Sequence, residues 1–146
     1  MTEKLIQILK KELVSLEKSA KLLRESHEKC LTIGLKNSYS AHELELFEVV
    51  TARFSRLSDF LVQKIFRLID TIELVDEGTI LDRLHRAEKR NLVSSSKQFA
   101  ELRHVRNTIA HEYEPDEYTR IFKDVLRFTP ELLASVTATQ EYCTKF

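Results

Sequence analysis

Two glycines and two prolines in 146 residues leave this chain few places to turn, and the absence of tryptophan and of long β-branched runs argues against a sheet. Cysteine is almost as scarce. Cys30 and Cys143 stand far apart without paired spacing, which excludes a disulfide framework and a zinc motif and suits a reducing cytosol. No apolar run approaches a membrane span. The start, MTEKLIQILKKEL, lacks the basic, apolar and small order of a signal peptide, so a soluble cytoplasmic protein is expected. Net charge is also missing: 23 basic residues balance 23 acidic ones, so the whole chain gives no electrostatic argument for nucleic acid.

What is there is helical periodicity, in a length that fits one domain with its own core. Ile6, Leu9, Leu13, Leu16, Ala20, Leu23, His27 and Cys30 alternate steps of three and four, predicting a first helix from about Thr2 to Ile33, with Gly34 as its stop. Ser40 and Glu43 form a capping-box pattern that opens a second helix to about Leu74. Its stripe is Phe47, Val50, Phe54, Leu57, Leu61, Leu68, Ile72 and Val75. A third helix is read from about Thr79 to Asn91, with Ile80, Leu81, Leu84 and Ala87 inward. A fourth runs from about Lys97 to Tyr113, with Phe99, Leu102, Val105 and Ile109 inward and Pro115 as the break. The last spans about Asp116 to Tyr142, where Thr129-Pro130 reads as a cap with Pro at the first position, or as a kink. The expected fold is an all-α antiparallel bundle of about five helices.

Charge is uneven along this frame. From Arg83 to Arg106 seven bases face two acids, an excess suited to a phosphate backbone or, equally, to a solvated helix face. The stretch RNTIAHEY, Arg106 to Tyr113, closes this basic run. On one straight helix Arg106 and His111 point about 140° apart and lie about 7.5 Å apart along the axis. Converging them calls for a second copy of the helix across a two-fold axis, or for a helix end distorted before Pro115. The residue types suit phosphodiester chemistry. An imidazole can take the proton of an RNA 2′-hydroxyl, and a guanidinium matches the charged oxygens of the transition state. Asn107 is placed to support them. His104 and His111 are about 10 Å apart along the axis, too far for one metal ion, and no glycine-rich phosphate loop is present. Ordinary helix-end roles remain the other reading of this arginine and histidine.

Arg106, Asn107, His111 and Tyr113 match R-N-x-x-x-H-x-Y. Together with LDRLHRAEKRNLV, FAELRHVRNTIAHEY and the long-helix hairpin, they make the chain resemble the HEPN superfamily (higher eukaryotes and prokaryotes nucleotide-binding domains), most of all its HepT-type toxin branch. The resemblance covers most of the chain as architecture and is sharp from about residue 79 to 118. It implies a homodimer whose motifs meet at a cleft, with metal-independent cleavage of RNA and no cofactor. It also implies a partner, a minimal nucleotidyltransferase antitoxin that transfers AMP to the motif tyrosine. Carried over, Arg106 and His111 are catalytic, Asn107 supports them, and Tyr113 is the AMPylated residue. DNA and membranes are not expected partners. Asp59, in RLSDFL on the second helix, is a candidate auxiliary residue or a solvent-facing aspartate. A module of another class, a non-catalytic HEPN domain that binds nucleotide or docks a nucleotidyltransferase, is the alternative.

Overall fold

A computed structural model describes residues 2–75, 77–111 and 117–146, and among them every regular element is helical. Helix α1 (Thr2–Ile33) buries the expected seam of Leu9, Leu16, Ala20, Leu23, His27 and Cys30. It stops where Gly34 takes φ of +76°, a conformation that costs glycine little and other residues more. Helix α2 (Ala41–Asp59) starts on the complete capping box: the Glu43 amide donates to Ser40 Oγ at 3.1 Å, and the Ser40 amide to Glu43 Oε1 at 2.9 Å. Beyond Asp59 the rod continues as a π-helical segment, Phe60–Ile65, and then as α3 (Phe66–Ile72).

That π segment alters the second-helix reading. A turn bonded i to i+5 takes in an extra residue, so the inward face slips along the sequence. After Leu61 the buried residues are Val62, Ile65, Phe66, Ile69, Asp70 and Ile72. Leu68 is only partly buried and Val75 is exposed, contrary to the regular stripe.

Helix α4 (Ile80–Lys89) is capped by Thr79 and Asp82, and Gly78 precedes it at φ +87°. A Cβ on Gly78 would lie 2.3 Å from Asp82 Oδ2, so both backbone and space select glycine there. Leu84 and Ala87 point inward as expected, but Ile80 and Leu81 are 40% and 50% exposed. The inward side of α4 is completed by cations instead. Arg86 Nη2 and Arg90 Nη1 donate to the fully buried Asp70 carboxylate at 2.9 and 2.6 Å, with Arg83 Nε at 3.7 Å.

Helix α5 (Ser96–Ala110) takes Ser95 as its N-cap and buries Phe99, Leu102 and Val105, with Ile109 partly covered. It ends at Ala110, three residues before the expected end at Tyr113. Helix α6 (Tyr118–Tyr142) carries Pro130 in its interior, so Thr129-Pro130 is not a helix start. Proline has no amide hydrogen to give the Leu126 carbonyl, and the buried His27 of α1 supplies the missing donor, Nε2 lying 3.2 Å from that oxygen. A short 3₁₀ turn, Cys143–Lys145, follows.

The first two rods pack as the expected hairpin, α6 lies against both, and α5 bridges α2 and α6. Aromatic rings fill the junction. Phe47 and Phe122 stack at 4.6 Å between centroids, with Tyr39 5.8 Å from Phe122 and edge-on to it. No described helix is long and apolar enough to cross a membrane.

The Asp70 cluster gives a stability prediction. A buried charge that loses its partner typically costs 3–5 kcal/mol. Asp70→Asn leaves the arginines without their counter-charge and is expected to lower unfolding free energy by about that amount in urea. A change within about 0.5 kcal/mol, as at an ordinary surface site, would show the cluster to be dispensable.

Candidate active site

Arginines 103 and 106 lie one turn apart on α5 and face the last turn of α2. Arg106 grips Asp59 as a fork: its Nε donates to Oδ1 and its Nη2 to Oδ2, both at 2.6 Å. Arg103 reaches the same carboxylate from beneath, its Nη1 donating to Asp59 Oδ1 and to Ser58 Oγ, both at 2.8 Å. The Arg103 side chain is 9% exposed, against 26% for Arg106 and 28% for Asp59. One arginine is therefore an internal strut and the other sits at the surface.

Burial pushes the Asp59 carboxyl up, but the hydrogen bonds from Arg106 and Arg103 outweigh it and hold the group below its ordinary range. The bond to Asp59 in turn raises Arg106, which stays cationic. A guanidinium has five N–H groups. Two of Arg106's are committed to Asp59, and the rest of the fork is held in a fixed orientation at a partly open surface.

His111 follows the last helical residue. It is exposed, with φ −94° and ψ 154°, and its amide reaches back to the Thr108 carbonyl at 3.3 Å. The helix-wheel offset between Arg106 and His111 applies to a continuous helix, and α5 ends before the histidine. The helix therefore ends before the histidine, as one of the two routes supposed, and no contact joins the His111 ring to Arg106 among the described residues. Asn107 is exposed on α5. Among the described residues, neither Asn107 nor His111 hydrogen-bonds to the Asp59–Arg103–Arg106 group. Tyr113 lies outside the described residues. No cluster of three or more His, Cys, Asp or Glu side chains suited to a metal occurs among the described residues.

The site thus unites two residues singled out from the sequence, Arg106 and Asp59, with one that was not. Arg103 had a legible signal, its three-residue spacing from Arg106, but nothing in the sequence pairs it with Asp59. The basic run is also reassigned. Arg83, Arg86 and Arg90 face Asp70, and Arg103 and Arg106 face Asp59, so five of its seven cations are turned to carboxylates. Compared with protein-family models, curated proteins and solved structures, the chain gives no match.

The depressed Asp59 has a definite pH signature. Its folded pKa lies below the unfolded value of about 3.9. Its contribution is therefore present above about pH 4 and lost as pH falls through the folded pKa. Glu43, Asp82 and Glu88 are lowered as well and add to the same slope. Asp59→Asn should be less stable than wild type at pH 7, and the gap should close on acidification below about pH 4. A gap independent of pH would assign the loss to packing rather than to the ion pair.

Proposed function

We propose that the chain is a HEPN-type toxin: a metal-independent endoribonuclease acting in the cytoplasm as a homodimer. In this reading a minimal nucleotidyltransferase antitoxin silences it by placing AMP on Tyr113. The observation that carries the proposal is the Asp59 clamp, which holds a permanent cation at the surface five residues before an exposed histidine. A rigid guanidinium needs no reorganisation to meet charge that develops in a transition state. The π turn beginning beside Asp59 adds support, since such turns are frequent at functional sites.

The chemistry needs only the side chains and the substrate. His111 takes the proton from the RNA 2′-hydroxyl, whose oxygen attacks the adjacent phosphorus. The protonated His111 then passes that proton to the departing 5′-oxygen, giving a 2′,3′-cyclic phosphate and a 5′-hydroxyl. The free edge of Arg106 meets the phosphate oxygens, and Asp59, backed by Arg103, fixes its direction. Asn107 supports the phosphate or the neighbouring backbone. AMP on Tyr113 would bring a bulky anion to the same motif and exclude substrate. His111 lies past the last helical residue, so the offset computed for a continuous helix no longer argues for a second subunit, and the dimer rests on the family resemblance.

A second reading has an observation of its own. An arginine fully forked onto an aspartate also serves as a plain tie between α2 and α5, as in a non-catalytic nucleotide-binding module. One experiment separates the two. Purified protein incubated with mixed RNA in EDTA should produce fragments ending in cyclic phosphate. His111→Ala should reduce the rate by about 10²–10⁴-fold, and Arg106→Lys should also be poor because an ammonium cannot make the bidentate contact. Cleavage that needs Mg²⁺, or that proceeds equally on DNA, overturns the mechanism. Co-expression with a neighbouring nucleotidyltransferase should add the mass of one AMP group and Tyr113→Phe should escape it. If Tyr113→Phe is neutralised as well as wild type, control works by binding.

A further inference from the structure

A groove of about 520 Å³ opens between α1 and the π segment, and Asp59 forms part of its wall. The same residue therefore meets Arg106 and also lines a cavity that the catalytic reading does not use. Phe60, half-buried, and Gln63 come from the π turn. Ser15 and Ser19 line the groove from α1, and Arg56 and Lys64 complete the lining.

The electrostatics of this corner favour an anion. Asp59 is already satisfied by Arg103 and Arg106. Lys64 is held only loosely, 3.7 Å from Glu12, and Arg56 is exposed with no ion-pair partner among the described residues. Four cations thus surround two carboxylates. The remaining lining is a flat aromatic ring bordered by an amide, which both donates and accepts, and by two hydroxyls. Single-stranded nucleic acid is bound by this combination: a cationic groove for the backbone, an aromatic face for a base, and polar groups for its edge. An acidic peptide would use the cations but leave the ring and the amide without a role.

We infer that the groove between α1 and the π turn seats a nucleotide of single-stranded RNA next to the one cleaved, with its base on Phe60 and Gln63 and its phosphate on Arg56 and Lys64. The inference rests on the ribonuclease reading for its substrate class, but the site is testable by binding alone. The probe is a mixed-sequence 2′-O-methyl hexanucleotide, which cannot be cleaved because its nucleophile is blocked. Titrated into the ¹⁵N-labelled full chain, it should give saturable shifts at the amides of Ser15, Ser19 and Gln63. Arg56→Glu should weaken binding by roughly tenfold and lower the salt slope by about one. Gln63→Ala, at an exposed position where folding is not at stake, should weaken it by a smaller factor. Shifts confined to other surfaces, or affinity unchanged in both variants, overturn the inference. So does a poly-glutamate peptide that reproduces the same shifts with equal affinity, which would make the groove a protein-docking site. Saturable binding here by a wild type that cuts no RNA would sink the ribonuclease reading and leave this site standing. Cleavage without shifts in the groove would do the reverse.

Discussion

Asp59 and Asp70 are eleven residues apart in one helical rod. In an unbroken α-helix that distance is three turns to within about 20°, and both carboxylates would face one neighbour. The π turn between them absorbs one residue and turns them apart by roughly a quarter of a circle. Asp59 consequently meets α5, and Asp70 meets α4. Two short helices are each seated by arginines on a carboxylate of the same rod. Removing the extra residue would return both acids to one side and leave one set of arginines unmatched. The placement of α4 and α5, and with it the orientation of Arg106, depends on this local widening.

The arrangement also explains how a chain of zero net charge can present a cationic site. The arginines of α4 lie inside, paired with Asp70 and with Glu73 close by, where they contribute to cohesion rather than to the surface field. At the other end of the rod the balance differs. Asp59 is shared by two arginines, and Arg56 and Lys64 stand beyond it. Any attraction for a polyanion is therefore local and short in range. At physiological ionic strength it extends about 8 Å, enough to hold a strand already in contact but not to gather one from a distance.

Much of the fold was legible because helix signals are local. The α1 seam, the Ser40–Glu43 box and the Gly34 stop depend on residues within a turn or two of one another, and each is found where the pattern placed it. The π turn was not legible, since no residue type marks an i to i+5 bond, and the stripe beyond Leu61 was displaced as a result. Ile80 and Leu81 were read as core because they are apolar, yet the pull on α4 comes from Asp70, a residue distant in sequence. The end of α5 was set too late because Pro115 was taken as its only stop. Thr108 and Ile109 are β-branched, and the Thr108 hydroxyl donates to the His104 carbonyl at 3.0 Å, so the last turn is already weak. Of the site, Asp59 showed itself as an acid amid an apolar stripe, whereas Arg103 resembled any other base of α5 until its partner was known.

The meeting of His27 with the Leu126 carbonyl makes an imidazole stand in for a peptide amide. Because the acceptor is a carbonyl, Nε2 must carry hydrogen. The contact also couples two positions distant in sequence, His27 and Pro130. A chain that exchanged Pro130 for a residue with an amide would satisfy Leu126 from within α6 and leave the imidazole of α1 buried without its acceptor. Exchanging His27 first would strand the carbonyl instead. Each change alone leaves a buried polar group unsatisfied, so the effects of the two are expected not to add.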